Sequence, residues 1–210
     1  MLTNLLLLSA LLAPATDWVL QDRVAAFVND RIITMTEVDL AIQIYPVFRR
    51  NDESEGEFYT RVLWDLIHQR LVASEYGGEF TPDERDYEAV QTAIITKAGS
   101  LERLLALLAK FDMDWNDLRQ FISDRVLTDK VVREKFSLKI TVTFAEVETF
   151  YQEEYLPPQR AIGSEPQSLV AMAPVIEQYL RQQRSLEKLA DWYQDLVAGA
   201  QVEIKMRSPE

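Results

Sequence analysis

Residues 22–45 read DRVAAFVNDRIITMTEVDLAIQIY, and this stretch decides the fold. Val24–Val28 is an apolar run with the residue types that favour strands. Asn29-Asp30 can turn the chain, because Asn tolerates positive φ and both side chains bond nearby backbone. Arg31–Met35 then reads as a second short strand. Thr36 is a good helix N-cap, with Asp39 three residues on in the capping-box position. Glu37 and Asp39 also place negative charge where the helix dipole favours it. Val38, Ile42 and Tyr45 follow at helical spacing. The unit is strand, tight turn, strand, helix.

A two-stranded hairpin is marginal in water and needs a further partner. The far end of the sequence offers one: Gln201–Met206 alternates polar and apolar residues, as a half-buried strand does. We therefore expect Val202, Ile204 and Met206 to close onto the Val24–Thr34 hairpin. The fold is then mostly α-helical, with a small β-sheet joining the N-terminal hairpin to the C-terminal strand.

The segments between read as helices. A long one spans about 57–76, with Phe58, Val62, Leu66 and Leu71 along one face and Gly77-Gly78 at its end. Thr81-Pro82-Asp83-Glu84 opens the next, with Thr81 as the cap and Pro82 as its first residue. Gly99 stops it. Ser100 caps a helix from Leu101 to Lys110 that is apolar nearly all round, a pattern of deep burial or of a surface facing a partner. Asp114 caps a long helix to about Phe136, and Thr143 with Glu146 opens another to about Tyr155. Residues 156–167, LPPQRAIGSEPQ, read as irregular linker, because three prolines and a Gly-Ser pair oppose regular structure. The last helix runs from Ser168 or later to about Val197, with a kink or a start at Pro174.

Composition narrows the function. A net charge of −12 with no basic patch argues against phosphate-backbone recognition and disfavours adsorption to anionic lipid. With no cysteine, thiolate chemistry and disulfides are excluded. Residues 5–12, LLLLSALL, followed by Ala13-Pro14-Ala15, fit the apolar core and small-x-small cleavage site of a signal peptide. That run is far shorter than the roughly 20 residues of a membrane-spanning helix, so cleavage after Ala15 and no stable membrane insertion are expected. Residues 1–15 are then a signal peptide, and 16–155 together with 168–210 form one folded unit interrupted by the linker.

No reactive constellation stands out. The single histidine, His68, lies in the middle of a helix with no nucleophile arranged beside it. Asp112-Met113-Asp114 resembles the start of a calcium-binding loop. The match fails at Asp117 and Ser123, where a turn glycine and a bidentate glutamate are required. No catalytic, metal or cofactor residue is assigned. The candidate binding residues are aromatics and methionines at helix ends: Phe48, Phe58, Tyr59, Phe111, Met113 and Trp115. Such side chains give large, adaptable apolar contact.

Four stretches resemble SurA-type periplasmic chaperones: the opening VAAFVNDRIITMTEVD; LIHQRLVASEYG followed by FTPDE; MDWNDLRQFISDRVLTDKVVREKF followed by ITVTFAEVETFYQEEY; and IEQYLRQQRSLEKLADWYQDLVAGAQVEI. The resemblance implies the helical N-terminal chaperone fold of that family, a periplasmic location, and binding of unfolded polypeptides such as outer-membrane β-barrel proteins. In the family a parvulin prolyl-isomerase domain follows the helix that here ends in EEY. Only residues 156–167 occupy that position, too few for a domain of roughly 50 residues. The resemblance therefore implies a chaperone module without its isomerase, acting without catalysis or cofactor. Two rivals stand beside it: a dedicated assembly factor for one protein partner, and an isomerase with an unrecognised site. The terminal segments could also pair between two chains as a clasped homodimer.

Overall fold

The computed structural model describes residues 22–136 and 140–206. The signal-peptide expectation for residues 1–15 lies outside them.

The hairpin forms where the sequence places it. β1 (Val24–Val28) pairs antiparallel with β2 (Arg31–Thr34), with Val28 opposite Arg31 across the turn. Asn29 takes φ 53°, the left-handed conformation that Asn accepts better than most residues. β3 (Val202–Ile204) pairs antiparallel with the other edge of β1, so the order is β2-β1-β3 and the first strand is central. The Asn29 backbone N–H donates to the Gln201 carbonyl at 2.7 Å. The Gln201 N–H donates to Asn29 Oδ1 at 2.9 Å. The turn is thereby clamped to the returning chain. Val202 and Met206 pack on the core as expected, whereas Ile204 stays largely exposed.

α1 (Met35–Ile44) starts two residues earlier than the sequence suggests. Its cap is Thr34, not Thr36: Thr34 Oγ1 accepts from the Glu37 N–H, and Glu37 answers to the Thr34 N–H at 2.8 Å. Two overlapping capping patterns compete here. The sheet settles the choice, because the Met35 N–H is used by the Arg23 carbonyl. α2 (Glu55–Tyr76) is capped by Ser54. α3 (Glu84–Ala98) is capped by Asp83 with Asp86, correcting the expectation of Thr81, and ends at Gly99 with φ 89°. A carboxylate accepts two backbone N–H groups here where a hydroxyl would accept one. α4 (Leu101–Leu108) buries Leu104 and Leu108 but leaves Leu101 and Leu105 exposed, and closes in a 3₁₀ turn over Ala109–Phe111.

The helix expected from Asp114 to Phe136 is two: α5 (Trp115–Phe121) and α6 (Ser123–Phe136), broken at the fully buried Ile122. α7 (Phe144–Phe150) has the Thr143–Glu146 capping box read from the sequence. A π-helical turn, Tyr151–Tyr155, then leads into α8 (Leu156–Ala161). Residues 156–161 are thus helical rather than irregular linker. Pro157 and Pro158 fall in the first turn of α8, where their missing N–H groups are tolerated. The wide π turn changes register just before them. α9 (Leu169–Ala198) is capped by Ser168 and runs through Pro174. The carbonyl that Pro174 leaves unbonded belongs to Val170, which is exposed and open to solvent.

The main core lies between the sheet and α1 to α6. Ile33, Leu40, Ile44, Leu63, Ile67, Ile94, Leu104 and Leu118 are essentially inaccessible. Each contributes about 1.5–3 kcal/mol by leaving water. α9 joins two further clusters. Its first half meets Val147, Tyr151 and Leu156 through Ile176. Its second half packs on Val72, Leu127 and Val131 through Trp192, Tyr193 and Leu196.

Candidate functional site: an aromatic groove between two long helices

Where α9 crosses α2, an apolar groove of about 520 Å³ opens between them. α2 contributes Trp64 and His68, one turn apart. α9 contributes Ala190, Tyr193, Gln194, Val197 and Ala198. The His68 ring lies almost parallel to Tyr193, with centroids 4.1 Å apart, and is tilted against Trp64 at 5.8 Å. The floor is therefore a continuous run of three rings. Burial pushes the His68 imidazole below its ordinary 6.5, against a weaker pull upward from Asp65. Burial likewise pushes the Tyr193 phenol up to about 12. Both rings are neutral near pH 7, so the floor offers apolar, polarizable surface and no charge.

The charges beside this floor are paired off. Arg125 Nη1 lies 3.3 Å from Asp65 and its Nε 2.9 Å from Asp129. Arg125 and Asp129 also border a smaller cavity, about 160 Å³, lined by Tyr45, Val90, Ile94 and Val126 among others. The Tyr45 hydroxyl is buried without a hydrogen-bond partner, and burial drives its pKa well above the ordinary range. Nearby, burial acts to raise the Asp86 carboxyl, but hydrogen bonds from Lys130, the Asp83 backbone and Arg133 outweigh it and hold it at about 2. Arg70 ties α1 to α6 by pairing with both Glu37 and Asp124. These buried ions are structural ties. Among the described residues no group of three or more His, Cys, Asp or Glu side chains could hold a metal ion, and no helix is long and apolar enough to cross a membrane.

The six residues expected to bind from sequence lie elsewhere, and none lines the groove. Phe48 is 70% exposed in the segment after α1, with Lys97 Nζ 3.9 Å above its ring. Phe58 is only 8% exposed. It does lie at a helix end, in the first turn of α2, but on the face that carries Val62 and Leu66 inward, so it belongs to the core stripe and not to an accessible surface. Tyr59 is half-buried against it, edge to face. Phe111, Met113 and Trp115 are half-buried around the α4–α5 turn, where they pack on the core. The groove residues escaped notice because each half looks ordinary in isolation. Trp64 and His68 sit at i, i+4 on a core helix, and Ala190, Tyr193 and Val197 read as one more apolar stripe.

The architecture is that of a helical module whose ends meet in one sheet and whose two longest helices frame an uncharged, aromatic-floored groove. No family model matches the chain. Over 162 residues it is 26% identical to Chaperone SurA of Bordetella avium (strain 197N), an alignment that covers 74% of this chain and 31% of that protein. The chain thus has a SurA-like relationship to a protein of which it spans about a third.

Proposed function

We propose that this protein is a non-catalytic chaperone that holds unfolded polypeptide in the groove between α2 and α9. The observation that carries the reading is the three-ring floor of Trp64, His68 and Tyr193, open on one side and free of charge. Aromatic surface gives large contact area without demanding a particular sequence. The similarity to Chaperone SurA supports the same role. On this reading the protein acts in the periplasm after export, and its clients are unfolded outer-membrane β-barrel proteins, whose strands alternate apolar and polar side chains. The charge of −12 keeps a loaded complex soluble by self-repulsion.

The test is dilution of an unfolded outer-membrane barrel protein into buffer with and without the purified protein, followed by light scattering. Dose-dependent suppression near stoichiometric ratio is expected, and Tyr193→Ala should weaken it. A folded, helical sample that suppresses nothing would sink the reading and favour a factor dedicated to one folded partner.

A further inference from the structure

The 160 Å³ cavity bordered by the end of α1, by α3 and by α6 has an apolar, buried wall made by Val90, Ile94 and Val126. Its rim is exposed at Pro46, Ala89 and Arg133, which opens it to solvent. Tyr45 also lines it. That side chain is 2% exposed, and its ring stacks on Phe121. Its hydroxyl has no hydrogen-bond partner among the described residues. Arg125 and Asp129, both on the cavity wall, act on the hydroxyl electrostatically, and the Arg125 guanidinium lies 5.5 Å from the Tyr45 ring centre. A buried hydroxyl left unpaired costs free energy that a bonded one does not. A guest that reaches Tyr45 with a polar atom recovers that cost.

We infer that this cavity is a binding site for a small neutral molecule of about seven non-hydrogen atoms, apolar except for one hydroxyl that pairs with Tyr45. Size sets the first limit: an apolar cavity of about 150 Å³ holds benzene, and this one is about 160 Å³. Charge sets the second. Arg125 is paired with Asp65 and Asp129, and Asp86 with Lys130 and Arg133. A charged guest would enter against Val90, Ile94 and Val126 without a counter-ion, which is costly. A plain hydrocarbon fits the apolar wall but leaves the Tyr45 hydroxyl unpaired. Water can pair with the hydroxyl, but it needs two to four polar partners and gains nothing from the apolar wall. A guest hydroxyl both donates and accepts, so it can take the Tyr45 O–H or give its own while its hydrocarbon body covers the wall. The cavity shares no lining residue with the α2–α9 groove, so the site stands whether or not the groove holds polypeptide.

The experiment titrates the purified protein with phenol and with toluene, which match in size and differ by the hydroxyl, and follows the backbone amides of Val90, Ile94 and Val126 by NMR. Phenol should shift these amides saturably, with a Kd about tenfold below that of toluene, the value of one buried hydrogen bond. Tyr45→Phe keeps the ring on Phe121 and removes the hydroxyl, so phenol and toluene should then bind alike. Ala89→Trp narrows the exposed rim, and should weaken both probes at least tenfold. Because Ala89 is exposed, this variant tests the site even if Tyr45→Phe does not fold. Three results overturn the inference: neither probe shifts these amides in the folded wild type, which leaves the cavity to water; toluene binds wild type as well as phenol does; or the preference for phenol survives in folded Tyr45→Phe. Binding of both probes undiminished in Ala89→Trp would place them elsewhere and also overturn it.

Discussion

Replacing Asn29 separates the two ways in which one turn residue holds the ends of this chain together. Asn29 does two jobs: its Oδ1 accepts the Gln201 N–H at 2.9 Å, and its backbone sits at φ 53°. Asn29→Gly removes the hydrogen bond but leaves the left-handed backbone unstrained, although glycine also loosens the unfolded chain. A net loss of about 1 kcal/mol follows from the hydrogen bond. Asn29→Ala removes the same bond and adds a Cβ in the left-handed region, which costs about 1 kcal/mol more. The expected order is wild type, then Gly, then Ala, with Ala about 2 kcal/mol below wild type. For a chain of this size each kcal/mol lowers Tm by about 2–4 °C. Urea unfolding followed by circular dichroism and by tryptophan fluorescence measures both losses, and coincident curves validate the two-state treatment. An alanine variant no less stable than the glycine variant would refute the reasoning, because strain at Asn29 would then contribute nothing.

Three further outcomes are expected. Asp86→Ala removes one partner of Lys130 and of Arg133 and the carboxylate that answers the Asp83 backbone, so it should cost about 1–2 kcal/mol in urea unfolding. The folded carboxyl sits at about 2, below its ordinary 3.8, so its contribution is present at neutral pH and is lost as pH falls from 3.8 through 2; the variant should show a shallower loss of stability in acid. His68 is the single histidine and its folded pKa lies below 6.5. The unfolded chain therefore takes up that proton first, and stability declines as pH drops below 6.5 toward the folded value; an imidazole resonance titrating at or above 6.5 in the folded protein would contradict this. Gly99→Ala forces a Cβ onto a backbone at φ 89°, which should cost about 1 kcal/mol, visible as a small fall in Tm.

The frame of this fold is legible because its signals are local. The hairpin needs only a β-favouring run, Asn-Asp and a second run, and β3 announces itself by strict alternation. Most helix starts are legible to within a few residues, and the departures have a common cause. The sequence around Thr34–Asp39 supports two capping boxes, and only the hydrogen bond from Met35 to Arg23 selects one. Near residue 83 a hydroxyl and a carboxylate compete for the same role, and the carboxylate of Asp83 wins because it accepts two backbone N–H groups, while Asp86, which answers the Asp83 N–H, is itself held by ion pairs with α6. Leu156–Ala161 was hidden because the prolines read as breakers unless the π turn before them is known. The groove was not legible at all. Trp64 and Tyr193 meet only through the crossing of α2 and α9, and nothing within either helix reveals that crossing.

The position of β1 has a consequence for how the molecule comes into being. The first of the described strands is the middle of the sheet, yet its second neighbour is β3, and Asn29 and Gln201, which join them, are 172 positions apart in sequence. Closing so long a loop is entropically slow. During synthesis the hairpin therefore waits with one edge bare while every helix is made. Completion of the sheet is a late, all-at-once event, and a nascent chain stalled before residue 202 carries an open strand edge that invites pairing with other chains.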